Sequence, residues 1–257
     1  MYKMNFLVIL LLLVTKSFAV YEQTNSTLGN VSIQTGIWNT SLNGTISNVD
    51  NNVKISDDLG FDEQKNITSF VLDLKNDVYW LPNVQMNYFL YRDSSHNTLT
   101  SSKKISSDIF NDKITSDIKY SELNTILYGF LQKDIFTFDI GVNMKKIYFE
   151  ESVSSVLGSS NVIINGPDSL LFLPYIALEV DLDFMDTILK AESSILSIGD
   201  TEAKDYKYSI SYRIMKHMYI SYGYRYNSFK SKNSNTTNDE KYNINIKGNY
   251  LNVKILF

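Results

Sequence analysis

The sequence predicts an all-β protein: ten antiparallel strands, joined up and down, closed into a barrel that spans a membrane. Three observations carry this. Segment after segment alternates apolar and polar residues at period two, the pattern of a strand with lipid on one side and a polar interior on the other. After residue 20 no apolar run reaches the ~20 residues that a spanning helix needs; the longest mostly apolar one is Leu170 to Leu178. The first residues read as a secretory leader, with Lys3 as a basic start, Phe6 to Val14 as an apolar core, and Ser17-Phe18-Ala19 as a small-x-small cleavage site. A secreted chain without a spanning helix crosses lipid only as a closed set of strands, because hydrocarbon satisfies no backbone hydrogen bond.

The strands follow from a template of about 9 to 11 residues, apolar at every second position. Residues 134–148 fit it best, with Phe136, Phe138, Ile140, Val142, Met144 and Tyr148 toward lipid and Thr137, Asp139, Gly141, Asn143 and Lys145 inward. Residues 204–214 send Tyr206, Tyr208, Ile210, Tyr212 and Ile214 outward, and residues 217–229 do the same with Met218, Ile220, Tyr222, Tyr224 and Tyr226. Weaker matches are 29–39, 67–76, 83–92, 121–131, 170–182 and 186–198. The facing of 121–131 is ambiguous. Pro174 inside 170–182 cannot donate to a ladder, so a bulge or a strand start is expected there.

The last strand is 248–257. Leu251, Val253, Ile255 and Phe257 share one face, and Asn252 and Lys254 share the other. A strand that alternates this way and stops on an aromatic carboxyl terminus looks like the insertion signal of bacterial outer-membrane barrels. An even strand number returns both termini to the inner side. Connections near 77–82, 132–133, 183–185 and 215–216 are short, as inner turns are. Connections 40–66, 93–120, 149–169 and 230–247 are long and polar, as outer loops are, with 199–203 as the one short outer loop. Residues 101–120 alternate weakly through Ile114, Ile118 and Tyr120. They make either an extra hairpin, for twelve strands, or an extension of the neighbouring strands. The same periodicity also fits a soluble sandwich or lipocalin-type barrel with its apolar face inward. The leader, Phe257 and the Tyr residues on the apolar face favour the membrane.

Several short motifs together resemble an uncharacterised family of outer-membrane β-barrel proteins from Gram-negative bacteria. They are Gly36-Ile37-Trp38-Asn39, Leu81-Pro82-Asn83-Val84, Ser221-Tyr222-Gly223-Tyr224-Arg225 and the segment Gly248 to Phe257. Their order spans most of the chain after the leader, and the outer loops depart from the family. The resemblance implies a fold and a compartment, the cell outer membrane, and carries no functional residue with it.

Composition narrows the function classes. The chain has no Cys, which excludes a disulfide framework, a thiolate metal site and a lipidated Cys after the leader. Removing 1–19 takes away Lys3 and Lys16, moving the formal net charge from −4 to −6 and giving no reason to expect nucleic-acid binding. Residues 20–257 are read as one barrel domain, monomeric, with outer-membrane lipid and the barrel-assembly machinery as its partners and no cofactor. Aromatic residues are expected at both interfaces: Tyr79, Trp80, Phe136, Phe184 and Met218 to Tyr222 at the inner one, and Tyr148, Phe149, Phe172 and Tyr226 at the outer.

Twelve charged residues are expected to line the lumen: Asp73, Lys75, Asp139, Lys145, Glu179, Asp181, Lys190, Glu192, Lys207, Arg213, Arg225 and Lys254. Side chains mostly fill the interior of a small barrel, and buried charges need partners. The leading expectation is therefore a salt-bridged, largely closed lumen with a structural or surface-interaction role. The alternative is a narrow passive channel, its slight basic excess favouring anions. A surface hydrolase is the third reading. It would use His96 with Asp93 and the Asp57-Asp58 pair of the outer loops, because activating a water needs a His-carboxylate arrangement.

Overall fold

A computed structural model describes residues 31–47, 52–61, 63–76, 78, 81–105, 108–156, 160–166, 168–233 and 240–257. The leader, Tyr79 and Trp80 lie outside the described residues. The strands are β1 (Val31–Ser47), β2 (Asn52–Lys54), β3 (Lys65–Leu74), β4 (Asn83–Thr98), β5 (Lys103–Ile105), β6 (Asp108–Phe110), β7 (Lys113–Lys133), β8 (Phe136–Ser155), β9 (Asn161–Asn165), β10 (Ser169–Leu182), β11 (Thr187–Ile198), β12 (Thr201–Met215), β13 (Met218–Asn233) and β14 (Glu240–Leu256).

Ten of them close a ring, in the order β1-β3-β4-β7-β8-β10-β11-β12-β13-β14 and back to β1. Every pairing is antiparallel. Each ring strand overlaps one of the ten predicted segments. The ring closes where β14 lies along β1 from Ser32↔Leu256 to Ser47↔Lys241, and Phe257 N–H donates to Val31 O at 2.9 Å. Residues 101–120 divide. From residue 113 they extend β7, while β5 and β6 form a separate two-stranded sheet outside the ring, so the twelve-stranded alternative is not what forms.

The long outer connections are shorter than expected because strands run through them. β4 and β7 stay paired as far as Thr98↔Lys113, and β8 and β7 as far as Ile114↔Ser155. Pro174 makes no bulge: it sits in continuous register opposite Val142. Its other edge is unpaired, because the ladder to β11 begins one residue later at Tyr175↔Ser194, so the missing N–H breaks no bond.

The apolar face looks outward, as predicted. Ile37, Phe70, Tyr88, Phe138, Ile176, Leu189, Tyr208, Tyr222 and Leu251 are exposed, and they circle the barrel as an apolar belt. Polar outward residues bound the belt on its outer side. Asn39 pairs with Asn66 across β1 and β3 at 2.8 Å, and Lys146 pairs with Asp168.

Above that line the polarity of β7 and β8 reverses while the direction of their side chains does not. On β8, inward Asp139, Asn143 and Lys145 give way to inward Ile147, Phe149 and Val153. On β7, inward Glu122 and Asn124 give way to Tyr120, Ile118 and Ile114. Outside the hydrocarbon the exterior must be polar, so apolar residues take the interior, as in a soluble protein. The expectation of a polar lumen therefore holds only for the inner half. Phe149, expected at the outer interface, lies inside the barrel for the same reason, whereas Tyr148 points out.

Candidate functional site: the barrel interior

The interior has three levels. The outermost is an apolar plug in which Leu42, Ile46, Ile55, Leu59, Phe61, Ile118, Phe149, Phe229 and Tyr242 are among the buried members. Phe149 and Tyr242 meet ring to ring, 5.9 Å between centroids, although β8 and β14 stand five strands apart on a ring of ten. The outer connections roof the plug. Ile55, Leu59 and Phe61 fold into it from the segment after β2, and Ile105 and Phe110 enter from the β5–β6 hairpin. Asn97 pins this roof by donating to Asp57 O at 2.8 Å and Asp58 O at 3.0 Å, and Lys103 pairs with Asp58 at 3.2 Å.

The middle level is charged. Arg225 Nη2 donates to Glu122 Oε1 at 3.0 Å and to Asp205 Oδ2 at 2.6 Å, and its Nε donates to Asp205 Oδ1 at 3.0 Å. Its guanidinium lies 5.2 Å from the Trp38 ring and 5.1 Å from the Phe89 ring, stacking on the underside of the plug. Glu122 also accepts from Lys145 at 3.0 Å, Tyr120 Oη at 3.0 Å, Asn124 at 2.6 Å and Asn227 at 2.7 Å. Lys145 and Glu122 are fully buried, and every charge in this group has an opposite charge within contact, which offsets their desolvation. Cavities beside Arg225 measure about 20 and 10 Å³, room for about one water each.

The innermost level is a polar vestibule facing the periplasmic side. Lys190 bridges Asp139 and Glu192 at 3.6 Å each, Lys207 pairs with Glu192 at 3.1 Å, and Tyr128 Oη donates to Asp73 at 2.9 Å. Lys75, Glu179 and Lys254 line the same space, a cavity of about 50 Å³. Arg213 sits lower, at the inner rim, paired with Asp183 at 3.4 Å and Asp186 at 3.3 Å of the β10–β11 turn. Asp181 lies beside that turn, its N–H bound to Ile135 O.

The structure thus spreads the twelve predicted residues over two levels and the rim. Sequence reasoning missed Glu122 and Asp205, which complete the middle level. Adding these two acids to the five expected ones matches the seven expected bases and removes the predicted basic excess. Glu122 was hidden because β7 changes polarity phase between Tyr120 and Leu123, which is what made 121–131 ambiguous. Asp205 shares the face of Lys207 and was legible from alternation alone.

The His96 arrangement does not assemble. Asp93 is three residues from His96 along β4, so the two point to opposite faces. Asp93 pairs with Lys65 and accepts from Tyr91, while His96 Nδ1 lies 3.0 Å from Thr115 Oγ1. Asp57 pairs with Lys54 at 2.9 Å and Asp58 with Lys103. No group of three or more metal-ligating side chains occurs among the described residues.

A closed antiparallel ring with an apolar exterior and charged inner lumen defines an outer-membrane β-barrel. No family model and no curated protein matches the chain. Among solved structures it is similar to the outer membrane protease OmpT of Escherichia coli, at 13% identity and a TM-score of 0.48, covering 92% of this chain and 99% of that one. It is also similar to Ail, the attachment invasion locus protein of Yersinia pestis, at 10% identity and a TM-score of 0.38, covering 90% and 100%. A third is the Neisserial surface protein NspA, at 11% identity and a TM-score of 0.34, covering 88% and 96%. At these identities none of the three assigns this chain a role.

Proposed function

We propose that the protein is a closed, non-enzymatic barrel that holds a rigid extracellular cap above the outer membrane for surface interaction and envelope integrity. The observation that carries this reading is the Arg225–Glu122 ion pair. It joins β13 to β7, five strands apart on a ring of ten, and so crosses the full width of the lumen. The plug above it is largely apolar and roofed by its own loops. A barrel built this way uses its interior to stiffen the wall and leaves the outer strands as the working surface. It acts as a monomer, contacts outer-membrane lipid through its apolar belt, and is inserted by the barrel-assembly machinery through the strand ending at Phe257. Liposome swelling tests the reading: vesicles carrying the folded protein should exclude glycerol-sized polar solutes as well as empty vesicles do. Swelling that rises with protein content would replace it with the channel reading.

A further inference from the structure

Two lysines of the vestibule make no direct ion pair. Lys75 and Lys254 make neither an ion pair nor a hydrogen bond among the described residues, apart from a 6.0 Å approach of Lys254 to the Tyr219 ring. They belong to the wall formed by β14, β1 and the end of β3, and both line the same cavity. Two neighbouring cations inside a barrel repel each other and lose hydration, so they are costly unless an anion joins them. The other cations of the vestibule are already used: Lys190 by Asp139 and Glu192, Lys207 by Glu192.

Donors flank the two lysines. Gln34 and Tyr219 stand directly across from Lys254 on the flanking strands, and Ser32 lies next to Gln34 along the inward face of β1. Tyr219 Oη accepts from Arg213 Nε at 3.0 Å, which leaves its own proton to donate into the vestibule. The side chains of Ser32 and Gln34 are unpartnered among the described residues. Of the acids nearby, Asp73 stands on the same wall, directly across from Ser32, and accepts from Tyr128, whereas Glu179 stands on β10, four strands around the ring from either β3 or β14. The β14–β3 wall therefore carries two cations against one acid, while opposite them Asp139, Glu179 and Glu192 outnumber Lys190 and Lys207. The vestibule's volume, about 50 Å³, admits a group the size of a few waters and no sugar.

We propose that this vestibule is a periplasm-facing site for a small oxyanion, a phosphate or carboxylate group, bound between Lys75 and Lys254 with Tyr219 and Gln34 donating to it. The site goes beyond the closed-barrel reading and does not depend on it: a path through the plug would leave both lysines where they are.

Isothermal titration calorimetry of the folded full chain in detergent, in chloride-free buffer at pH 7, tests it with inorganic phosphate and, separately, acetate. At least one should bind at a single saturable site. Lys254→Gln and Lys75→Gln should each weaken that binding about tenfold, Lys254→Arg should retain it, and Glu179→Gln should tighten it by removing a facing negative charge. Lys230→Gln, at an outer salt bridge with Glu202, should change nothing. Heat-modifiable gel migration confirms that each variant is folded. No saturable heat from either probe, or binding that Lys75→Gln and Lys254→Gln leave unaltered, would overturn the proposal.

Discussion

Arg225 and Glu122 lie 103 residues apart in sequence and 3.0 Å apart across the centre of the barrel. Each is buried, and each has a second opposite charge, Asp205 for the arginine and Lys145 for the glutamate. The pair ties opposite walls together, so it couples the pairing of every strand between them. Removing one partner leaves an uncompensated buried charge. Arg225→Met should therefore cost about 3–5 kcal/mol of stability, and the joint change Arg225→Met with Glu122→Gln less than the two single changes added. Urea unfolding of the barrel in detergent, followed by heat-modifiable migration, reads both.

The plug predicts a different cost. Phe149 is 1% exposed and meets Tyr242 across the barrel. Phe149→Ala should lose about 3–5 kcal/mol through the cavity it leaves. Phe138 is on the same strand but 41% exposed, at the lipid face. Phe138→Ala should cost clearly less in the same urea titration, because lipid fills the space.

Glu151 gives a pH dependence. It is fully buried among the inward residues of β8, above the membrane belt, and neither carboxylate oxygen has a partner. Its register neighbours are Ile118 and Ile164, and burial alone pushes its carboxyl up to about 8 from the usual 4.5. The folded protein therefore holds a proton that the unfolded chain releases. Between about pH 4.5 and 8 the native state binds more protons, so stability falls as pH rises through that window and levels off above it. Glu151→Gln should remove this component and be the more stable protein at pH 9. Unfolding midpoints from pH 5 to 9 that fall equally in both proteins would show that Glu151 is not the source.

Phe257 is 70% exposed on the lipid side, and its backbone closes onto Val31. Phe257→Asp should reduce the folded outer-membrane yield several-fold by placing a charge in the belt and weakening the insertion signal. Quantitative blotting of outer-membrane fractions checks this, and an unchanged yield would detach the C-terminal strand from assembly.

Much of the fold was legible because lipid exposure forces a simple pattern. Strands such as 134–148, 204–214 and 217–229 need only alternate, and the structure keeps their inward and outward sides within the belt. The outer half was illegible for a related reason. Where a strand leaves hydrocarbon, the apolar residues change sides, and a search for one uninterrupted phase reads the change as a loop. Residues 113–133 show this. Ile114, Ile118 and Tyr120 are apolar at even positions, and Leu123, Leu127 and Leu131 at odd ones, yet all lie on one continuous strand. The charged interior was legible in part: Arg225 and Lys145 follow from alternation, whereas Glu122 and Asp205 were missed. Which charges meet was not legible, because Arg225 finds Glu122 through barrel closure rather than sequence proximity.

The central claim is that the lumen is sealed at the level where Arg225, Glu122 and the plug above them meet. Single-channel recording across a planar bilayer tests it most directly. The folded protein should give no reproducible conductance step above the bare bilayer. A stable, protein-dependent step whose size or ion preference changes on Arg225→Met or Phe149→Ala would contradict it.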